Sequence, residues 1–445
     1  MGPLRDARGL AVSTRDREAL DRFEAALAGL HNGRGDTLAL VDEALDCDPA
    51  FASGHCLRAA VLLLRSERLH ERALRGAIDM IERCSDCAND RERRHAAAAR
   101  AWLDGDAALA LERYGELVID YPRDTLALYV AHTLDFRLGR REALRDRVAQ
   151  VLPHWHAGVP GFSYVLSMHA FGLEETGDYA QAREIAARAL ILEPDNAAAI
   201  HVIAHVLEMT GCAREGIAWL EATRQAWSAN TGYAVHLAWH LALFHIDLAM
   251  TAAAVEIYDA MVAPSPSSPI AQLVDATALL WRLTLRGGDS RERWGRLAKC
   301  WRRRRLPGQR AFNLLHAAIA FAASGEMRLS RRISMLMMED RATRRANTVD
   351  DLALAIPLTQ ALQAFVEEDY GRVVGMIKAV RAATQHCGGS VAQCDLIHLT
   401  LIEAALRCER APLARALAAE RTARKPQSPL NRWLFDRAEA MAGAA

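Results

Sequence analysis

The chain has 445 residues, with 55 Lys and Arg against 55 Asp and Glu, so its formal net charge is zero when its 16 histidines are neutral. A balanced chain with no concentrated basic segment has no electrostatic reason to bind nucleic acid or an anionic membrane surface. At 51% hydrophobic and 25% charged residues, the composition is that of a folded chain and not a disordered one.

Met1 to Leu10 carries Arg5, Asp6 and Arg8, and no apolar stretch of signal-peptide length follows. No window reaches the roughly 20 uncharged apolar residues of a membrane span, so the expectation is a cytoplasmic protein with no membrane partner. Nine cysteines in mostly Ala/Leu-rich stretches read as reduced thiols. Cys84 and Cys87 make the sole CxxC, with no second pair to complete a zinc site. Residues 1–90 are expected to be helical, with a degenerate repeat over Asn32 to Pro49.

Residues 91–266 hold the clearest repeats. Gly105-Asp106 is followed at fixed offsets by Ala110, Tyr114 and Pro122, and Gly177-Asp178 by Ala182, Ala186 and Pro194; Gly139 and Gly211 each fall 34 residues after Gly105 and Gly177. The period is that of the tetratricopeptide repeat (TPR), a helical hairpin. Glycine turns the chain after the first helix, small residues let the helices approach, and proline stops the second. Pro153 to Pro160, with Trp155 and His156, reads as a long loop. Ala249 and Glu409 stand where the ruler expects the turn glycine, and Pro264 to Pro269 is a candidate joint. Residues 270–445 continue as divergent helical repeats, with the short run Arg302 to Arg305 as a solvated helix end. The fold class is therefore all-α, a right-handed superhelical array of TPR-like hairpins.

Several stretches carry a more specific resemblance. They include Arg91-Glu92-Arg93-Arg94-His95, Asp120-Tyr121-Pro122-Arg123-Asp124, and Phe171-Gly172-Leu173-Glu174-Glu175-Thr176-Gly177. They continue with His201-Val202-Ile203-Ala204-His205, His236-Leu237-Ala238-Trp239-His240, Leu280-Trp281-Arg282-Leu283, and Gly388-Gly389-Ser390 with Gln393 and Asp395. Over nearly its whole length the chain resembles the tetratricopeptide repeat protein 38 family. The resemblance implies a superhelical fold and little about activity.

The polar residues inside helices carry the functional expectation. His201, His205 and Glu208 share one helical stripe, and His236 and His240 form a second i, i+4 pair on the first helix of the next hairpin. Side by side, these helices would bring four imidazoles and a carboxylate into one pocket. Three uses are open: a polar seam or ligand-recognition groove, a metal-free acid–base site in which Glu208 or Asp275 orients an imidazole, or a divalent transition-metal site at His201, His205, His236 and His240. The zincin helix is excluded, because Val202 and not Glu follows His201. Glu174, Tyr164, Trp239, His132, Asp135, Arg282, Asn313 and His316 complete the ligand-facing set. Of these, His132 with Asp135 and Asn313 with His316 are expected to bond locally, and Asp275 with Arg282 to form an interhelical tie.

Two functions follow. One is a superhelical binding protein holding a small molecule or peptide in a His/Glu-lined groove; the other is an enzyme doing hydrolytic or acid–base chemistry on a small polar substrate. Peptide grooves of this repeat type use Lys, Arg and Asn, whereas His, Glu and Trp dominate here, which favours a small-molecule or metal pocket.

Overall fold

The computed structural model describes residues 4–65, 70–84, 87–230, 232–288, 290–307, 309–343 and 351–443. Among them the chain forms 24 α-helices and no strand, apart from an isolated antiparallel bridge between Arg5 and Ala11. Consecutive helices pack as pairs, for example Asp90–Leu103 with Ala107–Asp120, Phe162–Glu175 with Tyr179–Leu192, and Ala311–Ala323 with Met327–Thr343. No described helix is long and apolar enough to cross a membrane, and no disulfide joins the cysteines among the described residues.

The turn inside a pair has one recurring construction. Gly105 is left-handed at φ 87°; its N–H donates to Trp102 O at 3.0 Å, and the Asp106 N–H donates to Ala101 O at 2.9 Å. Gly177 and Asp178 repeat this on Glu174 O and Leu173 O, both at 2.9 Å. These bonds satisfy helix-end carbonyls in a Schellman turn. The aspartate side chain then caps the next helix, Asp106 accepting from Leu109 N at 2.9 Å and Asp178 from Gln181 N at 3.2 Å. One Gly-Asp dipeptide thus closes the first helix and opens the second.

Ala249, Glu368 and Glu409 hold the glycine's position at φ 60°, 61° and 56°. The next residues make the same long bond: Met250 to His245 O at 2.8 Å, Asp369 to Ala364 O at 3.0 Å, and Arg410 to Ala405 O at 2.9 Å. The turn survives the change of residue, with left-handed strain on a side-chain-bearing backbone.

The described chain divides into two compact units. One runs to Val202 and takes in Ala229–Tyr233; the other comprises Ile203–Ser228 and the described chain from Ala234 onward. The division falls inside the helix Ala197–Thr210. In the first unit Phe23 meets Phe51 edge-on at 5.4 Å, and a buried seam joins Asp124 to Arg91 at 2.8 Å and to His95 Nε2 at 2.9 Å. Burial alone would raise the Asp124 pKa, but His95 and Arg91 outweigh it and hold the carboxylate below its usual range. The loop after residue 154 is pinned by Trp155, whose indole donates to Pro122 O at 2.8 Å.

In the second unit Trp227, Trp239, Trp281 and Trp301 are fully buried. Trp281 and Trp301 donate their indole N–H groups to Thr400 at 2.8 Å and Thr277 at 3.0 Å, which removes the cost of burying them. The Pro264 to Pro269 segment is a tight turn closed by Ser265 N to Ser268 Oγ at 2.9 Å. Arg304 is a correction to the solvated helix end: its guanidinium clamps that turn through Pro266 O and Ser268 O, while Arg303 and Arg305 are exposed.

Candidate functional site

Three helices bring residues of the second unit to one polar centre. Ala197–Thr210 contributes His205 and Glu208; Ala234–Asp247 contributes His236, Trp239 and His240; Ile270–Leu285 contributes Asp275 and Arg282. Ala234–Asp247 packs against Ile270–Leu285 and, on another side, against Ala213–Ala222. Gly216 makes the second contact close, since a Cβ there would lie 2.4 Å from Phe244. The i, i+4 spacing puts His236 and His240 on one face of their helix, as the sequence suggests.

A fourth helix, Val391–Arg407, is set by a capping box. The Gln393 N–H donates to Ser390 Oγ and the Ser390 N–H to Gln393 Oε1, both at 3.1 Å. The same Gln393 reaches Asp275 Oδ1 through Nε2 at 3.4 Å. A local cap therefore helps fix a carboxylate 118 positions earlier in the chain.

Each of two imidazoles has its own carboxylate. His236 Nδ1–H donates to Asp275 Oδ2 at 2.9 Å, and His240 Nδ1–H donates to Glu208 Oε2 at 2.8 Å. The His240 ring lies 4.6 Å from His205 and 4.8 Å from His236, centroid to centroid. Trp239 stacks on His236 at 5.2 Å with an interplanar angle of 10°, and the Arg282 guanidinium sits over the Trp239 ring at 5.2 Å. The buried indole N–H of Trp239 has no hydrogen-bond acceptor among the described residues.

The two carboxylate-backed rings are pushed in opposite directions. For His236, burial disfavours the charged form, but the charge and hydrogen bond of Asp275 outweigh it and raise the pKa. For His240, burial and then the neighbouring His205 and His236 drive the pKa well down. Burial also pulls the Arg282 guanidinium below its usual value. Arg282 keeps its hydrogen bonds through Ala278 O at 3.1 Å and Ala392 O at 2.7 Å.

A cavity of about 50 Å³ adjoins this centre, with Glu208 and Arg282 in its wall. It lies between the helices that carry Glu208 and His240, and Asp247, Asp395, Arg421, Lys425 and Ser428 line the rest of its polar surface. Arg421 holds Asp395 bidentately at 2.6 and 3.0 Å, and Ser428 donates to Asp247. No family model matches the chain. The site is therefore read from its own chemistry.

Of the residues singled out from sequence, His205, Glu208, His236, Trp239, His240, Asp275 and Arg282 come together in the second unit. His201, Glu174, Tyr164, His132 and Asp135 belong to the first. There His201 packs on Phe171 at 5.8 Å and on Tyr233 at 5.5 Å, Glu174 is fully buried, and Tyr164 stacks on His31 at 5.6 Å.

One local expectation needs correction. His132 bonds Met168 O at 3.1 Å and Asp135 accepts from Arg147 Nε at 2.8 Å, so neither bonds the other. Asn313 bonds Gln309 at 3.1 Å while His316 Nδ1 donates to Phe312 O at 2.8 Å, each one turn back along its own helix. Asp275 and Arg282 each make an interhelical tie, to His236 and to Ala392 O. The residues that sequence reasoning missed are Gln393 as a support for Asp275, and the cavity set Asp247, Arg421, Lys425 and Ser428. The Ser390-x-x-Gln393 capping box was a readable signal for the first; the others have none in local spacing.

Proposed function

We propose that the chain is a cytoplasmic TPR-like protein, a right-handed superhelical array akin to the tetratricopeptide repeat protein 38 family, that holds a small polar ligand beside the His205/His236/His240 cluster. The observation that carries this is the roughly 50 Å³ cavity walled by Glu208 and Arg282. Room of that size accommodates a few water-sized groups, too little for a peptide chain. Three carboxylates, Glu208, Asp247 and Asp395, face three cations, Arg282, Arg421 and Lys425, in its wall. Asp395 is paired with Arg421, Glu208 with His240, and Asp247 accepts from Ser428, whereas Arg282 and Lys425 form no ion pair among the described residues and are the groups an anion would meet. A small molecule, and neither a nucleic acid nor a membrane, is the partner this chemistry suits.

Thermal-shift titration of the whole chain with acetate and phosphate tests it. Either anion should raise the melting temperature by mass action, and Lys425→Ala should remove most of the rise. No shift at tens of millimolar of either would set the reading aside.

A second reading is catalytic. The His236–Asp275 and His240–Glu208 pairs are imidazoles oriented by carboxylates through Nδ1, the arrangement used for general acid–base work on a small polar substrate. Turnover of small esters or amides that disappears in His240→Ala, with the fold intact by circular dichroism, would favour it.

A further inference from the structure

Resting on the binding centre above, we propose that His205, His236 and His240 together hold one divalent first-row transition-metal ion, with Zn²⁺ the best match to their donor set. Three imidazole nitrogens, with no thiolate, suit zinc and its neighbours in the first row and not Mg²⁺ or Ca²⁺, which take oxygen.

The geometry reaches this in two steps. One ring nitrogen from each histidine lies within 4.8 Å of those of the other two. A tetrahedral centre with bonds of about 2.0 Å has edges of about 3.3 Å, so any pair must close by no more than about 1.5 Å, within reach of side-chain rotation. The rings come from two helices, His236 and His240 from one face of Ala234–Asp247 and His205 from Ala197–Thr210, which meet through the His240–Glu208 bond and the His205–His240 ring contact. They therefore approach a common point from two sides.

The second step is the outer layer. Asp275 takes the Nδ1–H of His236 at 2.9 Å and Glu208 that of His240 at 2.8 Å. With Nδ1 committed as donor, Nε2 of each ring is the position that presents a lone pair to an ion. A carboxylate behind a metal-binding imidazole fixes the tautomer, orients the ring and makes it a better ligand. Here that layer is itself held: Gln393 donates to Asp275 at 3.4 Å from a capped helix start. A seam that only satisfied polar groups would have no need for three imidazoles in mutual contact, because each buried ring brings a desolvation cost.

The test uses the full chain purified without a nickel column, stripped with a chelator and titrated with Zn²⁺ and Co²⁺. Loaded protein should carry about one equivalent by elemental analysis, and the Co²⁺ form should show the visible bands of a low-coordinate nitrogen site. Asp275→Asn and Glu208→Gln preserve shape and should each weaken Zn²⁺ binding 10- to 100-fold. His31→Phe, at a buried histidine of the first unit, should bind as the unaltered chain does. Uptake below a tenth of an equivalent by folded protein overturns the proposal, as does unchanged Zn²⁺ affinity in both carboxamide variants. If the stripped chain still responds to acetate or phosphate but takes no metal, the metal site falls and the small-ligand reading stands; silence in both experiments ends both.

Discussion

The left-handed residues at the hairpin turns give a stability prediction with two opposite signs. Gly177 sits at φ 89°, and a Cβ built there meets nothing within 4 Å, so Gly177→Ala adds no clash and tests backbone conformation alone. An L-residue in this region costs about 1–2 kcal/mol, partly offset by the roughly 0.5–1 kcal/mol of unfolded-state freedom that glycine loses on folding. Gly177→Ala should therefore destabilise by about 0.5–1 kcal/mol. Ala249→Gly and Glu409→Gly run the same argument backwards from φ 60° and 56° and should stabilise by a similar amount. Urea unfolding followed by circular dichroism reads each change as a shift of the midpoint at constant slope. Should both glycine variants unfold at lower urea, or Gly177→Ala prove neutral, the equivalence of these turns would be refuted.

Acid sensitivity follows from His31, which is 7% exposed and packed against Tyr129 and Tyr164. Burial, and then the charge of Arg8, lowers its pKa to about 3. The unfolded chain takes a proton there near pH 6.5 and the folded chain does not, so the stability is complete above that pH and drains away as pH falls toward 3. Between pH 7 and 5 this one group should cost about 2 kcal/mol, and His31→Phe should remove that part of the pH dependence of urea unfolding; an unchanged dependence would contradict it. Gly216→Ala should cost about 1–3 kcal/mol, because its Cβ would sit 2.4 Å from the Phe244 ring. A neutral midpoint would mean that the two helices separate freely.

The parts of the structure legible in the sequence are those written in short-range chemistry. Gly105-Asp106 and Gly177-Asp178 announce their turns because one residue type tolerates positive φ and the next caps a helix. Even Ala249 and Glu409, which lack the glycine, were placed in register by the spacing of Ala254 and Ala414 after them. The two histidine stripes were legible for the same reason, since i, i+4 fixes a shared face. Choosing between partners was not. His132 and Asp135 look like a local pair, yet the backbone carbonyl of Met168 and the guanidinium of Arg147 take them. Asp275 finds His236 across 39 positions and Arg282 finds Ala392 O across 110. Helical periodicity reports which face a residue occupies and is silent on which distant helix covers it.

The doubled duty of the Gly-Asp turn bears on how the protein is built as well as how it stands. Every bond that shapes such a corner joins residues no more than five apart, so a hairpin needs nothing remote to find its bend. Folding can then begin at any of several corners and spread to its neighbours, with little loop-closure entropy paid at the outset. Architecture of this kind tolerates the gain or loss of a whole hairpin far better than the loss of a single residue within one.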